Sequence, residues 1–508
     1  MRPFALVPRW WFVPPSQLPL LVAIIGVFLL VVLVFLYRSA TVLSRRILAR
    51  LLLVVAIVFV AAEAVVLVCL RGPERRPYLA VFPVAPGRSS PEAWALSLTL
   101  SHQLRRVSGN YYAVPFVSVL QAVQADSCTD QGYMARFCVR CGIDAAVAGE
   151  LVAQGERRAF ICRLWYRGQW SDTTVNASEF DVGCLADAAQ NWLATKLNIK
   201  HLPSAVPPLR WGVQTAATDL LVRDGKFGQA RAALGPTRDP VVLWMVGQSY
   251  LQEAKELRAL GKAWREPLYH GIAAAEELVQ RDSSSLEGNL LLAECRILEE
   301  DWDRAEIHLR KAFSLDPSYS HTLLLLSRLH PSRYRDLGFE DEEQLYRRAI
   351  CYDPCAISAR LALVGYLREM GRRTEALQEV DEILRLNPTC IQGLLAKGRM
   401  LITWEQNEAG FACLEEARRL APDDPEVLYA LGVARYVTED FEGARPLFAR
   451  AITLGDHLDS YLYLGLIARR QGQPEQALHY FQERVRRKRD GQDRLADIAR
   501  DNIFQITH

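Results

Sequence analysis

The sequence lacks the short signatures that usually mark a catalytic fold. It has no G-x-x-x-x-G-K-[ST], no G-x-G-x-x-G opening a helix, no H-E-x-x-H and no G-x-S-x-G. This removes the common phosphate-loop, dinucleotide, zinc-peptidase and serine-hydrolase constellations. The nine His are scattered, without a pair at ligand spacing and a third ligand nearby. Acidic pairs such as Asp423-Asp424 and Asp341-Glu342 fall at helix starts, where they complement the helix dipole. Cysteine is sparse, with 11 in 508 residues, and 30 Gly and 25 Pro are ordinary. The chain is therefore neither a disulfide-dense miniprotein nor a disordered tract. Its length suits two to four domains at roughly 100–200 residues each. A strong charge of one sign is also missing, since the net is +2. That figure sums unlike parts. Residues 1–70 carry six Arg and one Glu, residues 71–200 carry 14 basic and 11 acidic groups, and the remainder is net −6. A basic head on an acidic arm argues against general nucleic-acid binding.

What is present begins with two long hydrophobic runs. Residues 18–37, LPLLVAIIGVFLLVVLVFLY, hold no charge, and residues 51–70, LLLVVAIVFVAAEAVVLVCL, hold only Glu63. Each is long enough to cross a hydrocarbon core of about 30 Å as a helix. Neither shows the polar stripe of a buried core helix. The first is too long for a signal-peptide core and lacks a small-residue cleavage site. The expectation is two transmembrane helices joined by a basic loop, 38–50, after a short segment, 1–17. Arg38, Arg45, Arg46 and Arg50 place that loop in the cytoplasm, and hence the C-terminal domains in the periplasm of a bacterial inner membrane. Arg2, Arg9, Arg71, Arg75 and Arg76 pull the other way, which keeps a cytoplasm-facing arm open as an alternative. Glu63 in mid-span costs about 2.5–3.5 kcal/mol. It reads either as a contact with another membrane subunit or as a protonated side chain tolerated by apolar flanks. Membrane subunits and lipid are accordingly expected partners.

Residues 78–200 read as a compact α/β unit. A β-rich run at 78–84 precedes a turn, a helix over 91–107, a strand near 112–117 and a short helix over 117–123. Strands follow at 143–151, 159–166 and 173–180, then a helix over 184–197. The order LAVFPV, LSHQLRRVSG, YYAVPF and SVLQAV resembles the amino-terminal-type domain of TolB, found in CadC-like regulators and beside tetratricopeptide arrays. Gly142, Asp144, Gly149, Leu164 and Gly168 hold matching places in the later segment. The resemblance implies a small extracytoplasmic α/β domain with a structural or interaction role. The stretch 126–140, with its cysteines, departs from that pattern.

Beyond about residue 209 the chain keeps a clock. Leu315-Asp-Pro317, Tyr352-Asp-Pro354, Leu386-Asn-Pro388 and Leu420-Ala-Pro422 recur at spacings of 37, 34 and 34. Small or apolar residues precede each stop: Ala312, Ala349, Ile383, Ala417 and Ala451 at one place, and Ala305, Ala376, Gly410 and Ala444 at another. Gly398 and Gly432 fill a small place on first helices, and Phe448 and Phe481 a large place on second helices. This is the tetratricopeptide pattern. It predicts seven or eight helix pairs over 210–490, then a terminal helix and tail over 491–508. Arg484 to Arg489 read as part of a polar outer face closing the array.

First helices of such repeats line a concave groove. Counting from each stop assigns to it Leu361, Gly365 and Arg368; Leu395, Arg399 and Ile402; Tyr429, Val433 and Tyr436; and Leu462, Leu466 and Arg469. Aliphatic and Tyr surface with scattered Arg suits an extended peptide or amphipathic helix. A competing reading makes half of these side chains inter-repeat core.

Cys138-Val-Arg-Cys141 is a C-x-x-C, but Gly142 leads into a strand where a thioredoxin-like pair needs a helix. A zinc site would need Cys128 and Cys162 as well. In an oxidising compartment the plain reading is a disulfide among Cys128, Cys138 and Cys141. The arm's Cys295, Cys351, Cys355, Cys390 and Cys413 read mostly as small core residues. The fold class expected is mixed: two transmembrane helices, a small α/β domain and an all-α superhelix. The function expected is a membrane-anchored, non-enzymatic scaffold or adaptor supporting an envelope complex. It would need no cofactor or metal, and would bind proteins through its groove and no nucleic acid. A thiol-active maturation factor using Cys138 and Cys141, as in cytochrome c maturation, is the alternative.

Overall fold

The computed structural model describes residues 77–85, 90–107, 111–122, 130–154, 157–166, 168–176, 182–198, 213–234, 239–488 and 493–508. The α/β part runs β1 (Tyr78–Val81), α1 (Pro91–Val107), β2 (Tyr112–Ala113), α2 (Phe116–Ala122) and α3 (Gln131–Cys141). It continues with β3 (Ala145–Gln154), β4 (Arg157–Tyr166), β5 (Gln169–Asn176) and α4 (Val182–Leu197). The sheet order is β2-β1-β3-β4-β5. β1 lies parallel to β2 and β3, while β3, β4 and β5 form an antiparallel meander. β1 is apolar and buried throughout because helices cover both faces of the sheet there. Leu79 and Val81 join α1 and α4 on one face, and Tyr78, Ala80 and Phe82 join α2 and α3 on the other. β5, at the edge, alternates instead between exposed and half-buried positions over most of its length.

Helix α3 occupies the stretch that departs from the TolB-type pattern. Asp130 caps its start by accepting from the Gly132 N–H, and Gly142 ends it in a left-handed turn at φ 67°. A residue with a Cβ would be strained at that turn.

The arm is a stack of eight described helix pairs. They are α5 (Val213–Arg223) with α6 (Phe227–Leu234), α7 (Pro240–Ala259) with α8 (Arg265–Arg281), and α9 (Leu286–Glu299) with α10 (Trp302–Leu315). Next come α11 (Ser320–Leu326) with α12 (Glu342–Tyr352), α13 (Ile357–Glu369) with α14 (Arg373–Leu386), and α15 (Ile391–Thr403) with α16 (Asn407–Leu420). The last are α17 (Pro425–Val437) with α18 (Phe441–Gly455), α19 (Ser460–Arg470) with α20 (Pro474–Arg486), and a closing helix, α21 (Arg494–Thr507). α10, α12, α14 and α16 each end two residues before a proline, whose ring and missing N–H forbid continuation. The longer fourth pair takes up its extra residues in two 3-10 turns, Pro331–Arg333 and Arg335–Leu337, around a buried Tyr334. Phe448 lies against Gly432 and Phe481 against Gly465, where a Cβ would come within 2.8 and 2.5 Å of the rings.

Arg484 is corrected from its expected outer-face role. It is fully buried, clasped by Asp493 at 2.7 and 3.0 Å and by Asp459 at 2.9 Å. Asp493 also caps the start of α21, so this one ion cluster fastens the closing helix to the last pair.

The α/β part does not stand apart from the arm; it is packed into it. On one side α1 lies along α5, with the Trp94 indole N–H donating to Asp219 at 2.9 Å. On the other, α2 and α3 meet the turns that end α12 and α14. Ser118 donates to Asp353 at 2.6 Å, the Asn387 amide to the Gln121 carbonyl at 2.8 Å, and Arg385 to the Arg140 carbonyl at 2.8 Å. The Tyr112 and Tyr352 rings sit 5.1 Å apart. One core runs across this seam, joining Phe137, Cys138 and Ile143 to Cys355, Ile357 and Val380. At the far end, Gly261 after α7 has φ 63°, and a Cβ there would come within 2.5 Å of the Arg487 carbonyl after α20. Asp456 binds Arg487 and lies 3.7 Å from Lys262, so the last pairs touch the second.

The expected fold class is corrected. The described chain is a mostly helical, tetratricopeptide-like superhelix holding a small α/β part, and among the described residues no helix is long and apolar enough to cross a membrane. Its longest helix, α7, carries Glu253, Lys255, Glu256 and Arg258. The runs expected as spans, 18–37 and 51–70, and with them Glu63, lie outside the described residues. The two-pass inner-membrane placement with a periplasmic arm is corrected on the same finding, and the expected contacts with membrane subunits and lipid fall on those runs, outside the described residues.

Candidate functional site

The first helix of each pair turns one face toward the inside of the superhelix. In the early pairs the α/β part closes this side and leaves a cavity of about 950 Å³. His102 on α1, with Phe116 and Ser118 on α2, forms one wall. The opposite wall comes from α7, α9, α11 and α13. Trp244, Leu290 and Leu324 supply apolar surface, and Gln248, Glu287 and His321 supply polar groups.

Charge within the cavity is partly neutralised by internal pairing. Glu294 is taken out of water, which opposes its ionisation, but Lys255 at 2.7 Å and His321 at 2.8 Å more than offset this. They hold its carboxyl well below the usual carboxylate range. Asp219 accepts from Arg223 at 2.6 Å as well as from Trp94. Glu287 is buried 3.6 Å from His102. Glu256 forms no ion pair among the described residues, and burial together with the neighbouring Glu253 pushes its carboxyl up.

The groove residues expected from the repeat count lie in the later pairs, and the structure divides them. Leu395 and Ile402 are buried between α15, α16 and α17, and Leu462 is buried against α20. Leu361 is half-buried against the α/β seam, while Gly365 borders open space. Arg368 and Arg469 are exposed, Arg469 donating to Asn502 of α21. Arg399 pairs with Glu426 and lies 6.0 Å from the Tyr429 ring centre. Tyr429 stacks on His457 at 4.3 Å and meets Tyr463 at 5.8 Å, and Tyr436 meets Tyr463 at 5.2 Å. Val433 is half-buried in the same aromatic cluster, and Leu466 in the cluster beneath α21. Arg399, Tyr429, Val433 and Tyr436 thus come together, with Tyr463 and His457 added. The His457 N–H and Arg399 hold Glu426 well below the usual carboxylate range.

The cysteines form no such site. Cys128 lies outside the described residues. The expected crosslink of Cys128 with Cys138 or Cys141 therefore falls partly outside the described residues, and Cys138 and Cys141 stand as free thiols. They sit one turn apart on α3, buried on its core-facing side. Burial pushes the Cys138 thiol far up. The Cys355 thiol donates to Cys141 and holds it lower. Cys162 belongs to the core on the opposite face of the sheet. Among the described residues, no group of three His, Cys, Asp or Glu could hold a metal ion.

Sequence reasoning missed the cavity. Leu290 and Glu294 stand 27 and 23 residues before Pro317, as Leu361 and Gly365 stand before Pro388, so the repeat count already marked those places.

Comparison with known proteins agrees with the repeat. The tetratricopeptide repeat family model matches residues 405–459, from just before α16 to just before α19. The chain is 26% identical over 219 residues to ER membrane protein complex subunit 2-A of Xenopus laevis and to subunit 2 of Xenopus tropicalis, covering 40% of this chain and 71% of each relative. It is similar to the APC/C hetero-tetramer Cut9-Hcn1, with a TM-score of 0.41 and 13% identity over 58% of this chain and 55% of that one. It thus spans just over half of that structure's chain. A tetratricopeptide repeat protein from Parabacteroides merdae gives 0.40 and 13% over 52% and 99%. The chain carries tetratricopeptide repeats, an architecture built for protein–protein interaction.

Proposed function

We propose that this chain is a non-enzymatic scaffold that holds a segment of a partner protein against the inner face of its later pairs. Arg368, Arg399, Tyr429, Val433, Tyr436, Leu466 and Arg469 would make that surface. The observation that carries the reading is the cluster of Arg399, Tyr429, Tyr436 and Tyr463 on successive first helices. Arg and Tyr are the residues in which binding energy concentrates at interfaces, because they combine large area with directed hydrogen bonds. A role in assembling a multi-subunit complex is supported by the likeness to ER membrane protein complex subunit 2. The parallel-then-meander order of residues 78–200 supports reading them as a TolB amino-terminal-type module, here serving as an internal brace.

The test is site-specific photo-crosslinking in the native host. A photoreactive residue at Tyr436 should capture a discrete partner, and one at Arg419, exposed on the second helix α16, should not. Equal capture at both positions, or none at either, would overturn the proposal.

A further inference from the structure

The cavity between the α/β part and the early pairs is not used by that reading, and its chemistry is specific. Four carboxylates line it, Asp219, Glu256, Glu287 and Glu294, against two permanent cations, Arg223 and Lys255. Both cations are already engaged: Arg223 lies 2.6 Å from Asp219, and Lys255 lies 2.7 Å from Glu294. An anion would therefore meet no uncommitted positive group on these walls. A cation would meet Glu256, which has no ion-pair partner among the described residues, and Glu287, which lines the same cavity beside His102. The rest of the lining suits a polypeptide. The amides of Gln248, Gln252 and Gln392 can each donate and accept, as an extended backbone requires. Trp244 and Leu290 offer apolar surface on which the methylene stem of a long basic side chain can lie. The volume, about 950 Å³, is at the upper end of the usual range for ligand pockets, about 300–1,000 Å³.

We propose that this cavity is a second binding site, which takes an extended, lysine-bearing peptide segment with the ammonium directed to Glu256 and Glu287. It goes beyond the groove of the later pairs and does not depend on it. The site forms only where α1 and α2 face α7, α9 and α11, so neither the α/β part nor the arm has it alone.

The experiment uses the full chain and fluorescence anisotropy. The probes are a fluorescein-labelled alanine octamer carrying two lysines, its counterpart carrying two glutamates, and spermidine as a competitor. The lysine peptide should bind more tightly than the glutamate peptide and weaken as salt is raised. E256Q should weaken it about fivefold and E256K more than tenfold, since removing and then inverting a partly desolvated charge act in the same direction. Glu256 is exposed and its side chain makes no ion pair or hydrogen bond among the described residues, so these variants keep the fold. E408K, with the same charge change on the exposed side of α16, should leave affinity unchanged. Equal binding of the two peptides, or an E408K effect as large as that of E256K, overturns the proposal. So does spermidine binding without peptide binding, because a peptide is what the amide lining was argued to recognise. Failure of crosslinking at Tyr436 would leave this measurement untouched, so the two readings fail separately.

Discussion

The seam between the α/β part and the arm turns on Asp353, and replacing it with Asn tests the physics of that seam. Asp353 is fully buried. One oxygen accepts from Ser118 at 2.6 Å and Ser320 at 3.1 Å, and the other accepts from the Cys355 N–H at 3.0 Å. Arg360 acts on it only at a distance. Burial outweighs these contacts and pushes its carboxyl up to about 6, from an ordinary value near 3.8. The folded state therefore binds this proton more tightly than the unfolded state does. Its contribution to stability is complete below about pH 4 and is lost as pH rises through 6. A shift of about two units at 1.36 kcal/mol each is a loss of about 3 kcal/mol by neutral pH. Asn carries no charge and can keep the bonds, accepting from Cys355 and donating to the two hydroxyls. Asn387 already does the equivalent one repeat later, accepting from the Thr389 N–H at 3.0 Å while donating to Gln121. D353N should thus match the wild type near pH 4 and protect the seam about a hundredfold more at pH 7.5. Native-state hydrogen exchange of peptides covering residues 116–122 and 351–359 reads this directly. Lower protection in D353N at pH 7.5, or the same pH slope in both proteins, would refute the reasoning.

Four further outcomes are expected. R484A takes the guanidinium away from the buried Asp493 and the half-buried Asp459 and should cost about 3–5 kcal/mol, seen first as lost exchange protection in α21. W94F removes one donor from Asp219, which keeps Arg223, and should cost about 1–3 kcal/mol, with the loss of protection confined to α1 and α5. Two glycine variants should diverge in urea melts. G465A forces a Cβ to 2.5 Å from the Phe481 ring and destabilises by about 1–3 kcal/mol, whereas G365A meets nothing within 4 Å and gains up to about 1 kcal/mol of helix propensity. Iodoacetamide on the native protein should label Cys351 and Cys184, which are exposed, and spare Cys138 and Cys355 until unfolding. Rapid native labelling of Cys138 would contradict its burial.

Local and periodic features were legible in the sequence. Pro317, Pro354, Pro388 and Pro422 stop helices by covalent geometry, and Gly432 and Phe448 are complementary in size, so neither needs tertiary information. Asp130 and Gly142, a start cap and a left-handed stop, are also local signals for α3. The packing of the α/β part into the superhelix was not legible. It depends on pairs such as Trp94 with Asp219, 125 residues apart, and Ser118 with Asp353, 235 apart, and no short-range pattern encodes those. The groove count gave the turn of the helix but not the depth. Tyr429 and Leu395 hold equivalent places, yet Leu395 is buried in its own repeat's core while Tyr429, longer and with a polar end, is only partly buried at the edge of the next cluster.

The contact of Gly261 with Arg487 changes the mechanics of the solenoid. In an open stack each joint between neighbouring pairs can bend independently, and a distortion at one end dies out toward the other. A stack whose last pairs rest on its second is a closed linkage, like a ring of hinged bars. An angle opened at one joint must be taken up by the others, so stiffness here belongs to the loop as a whole and not to any single repeat.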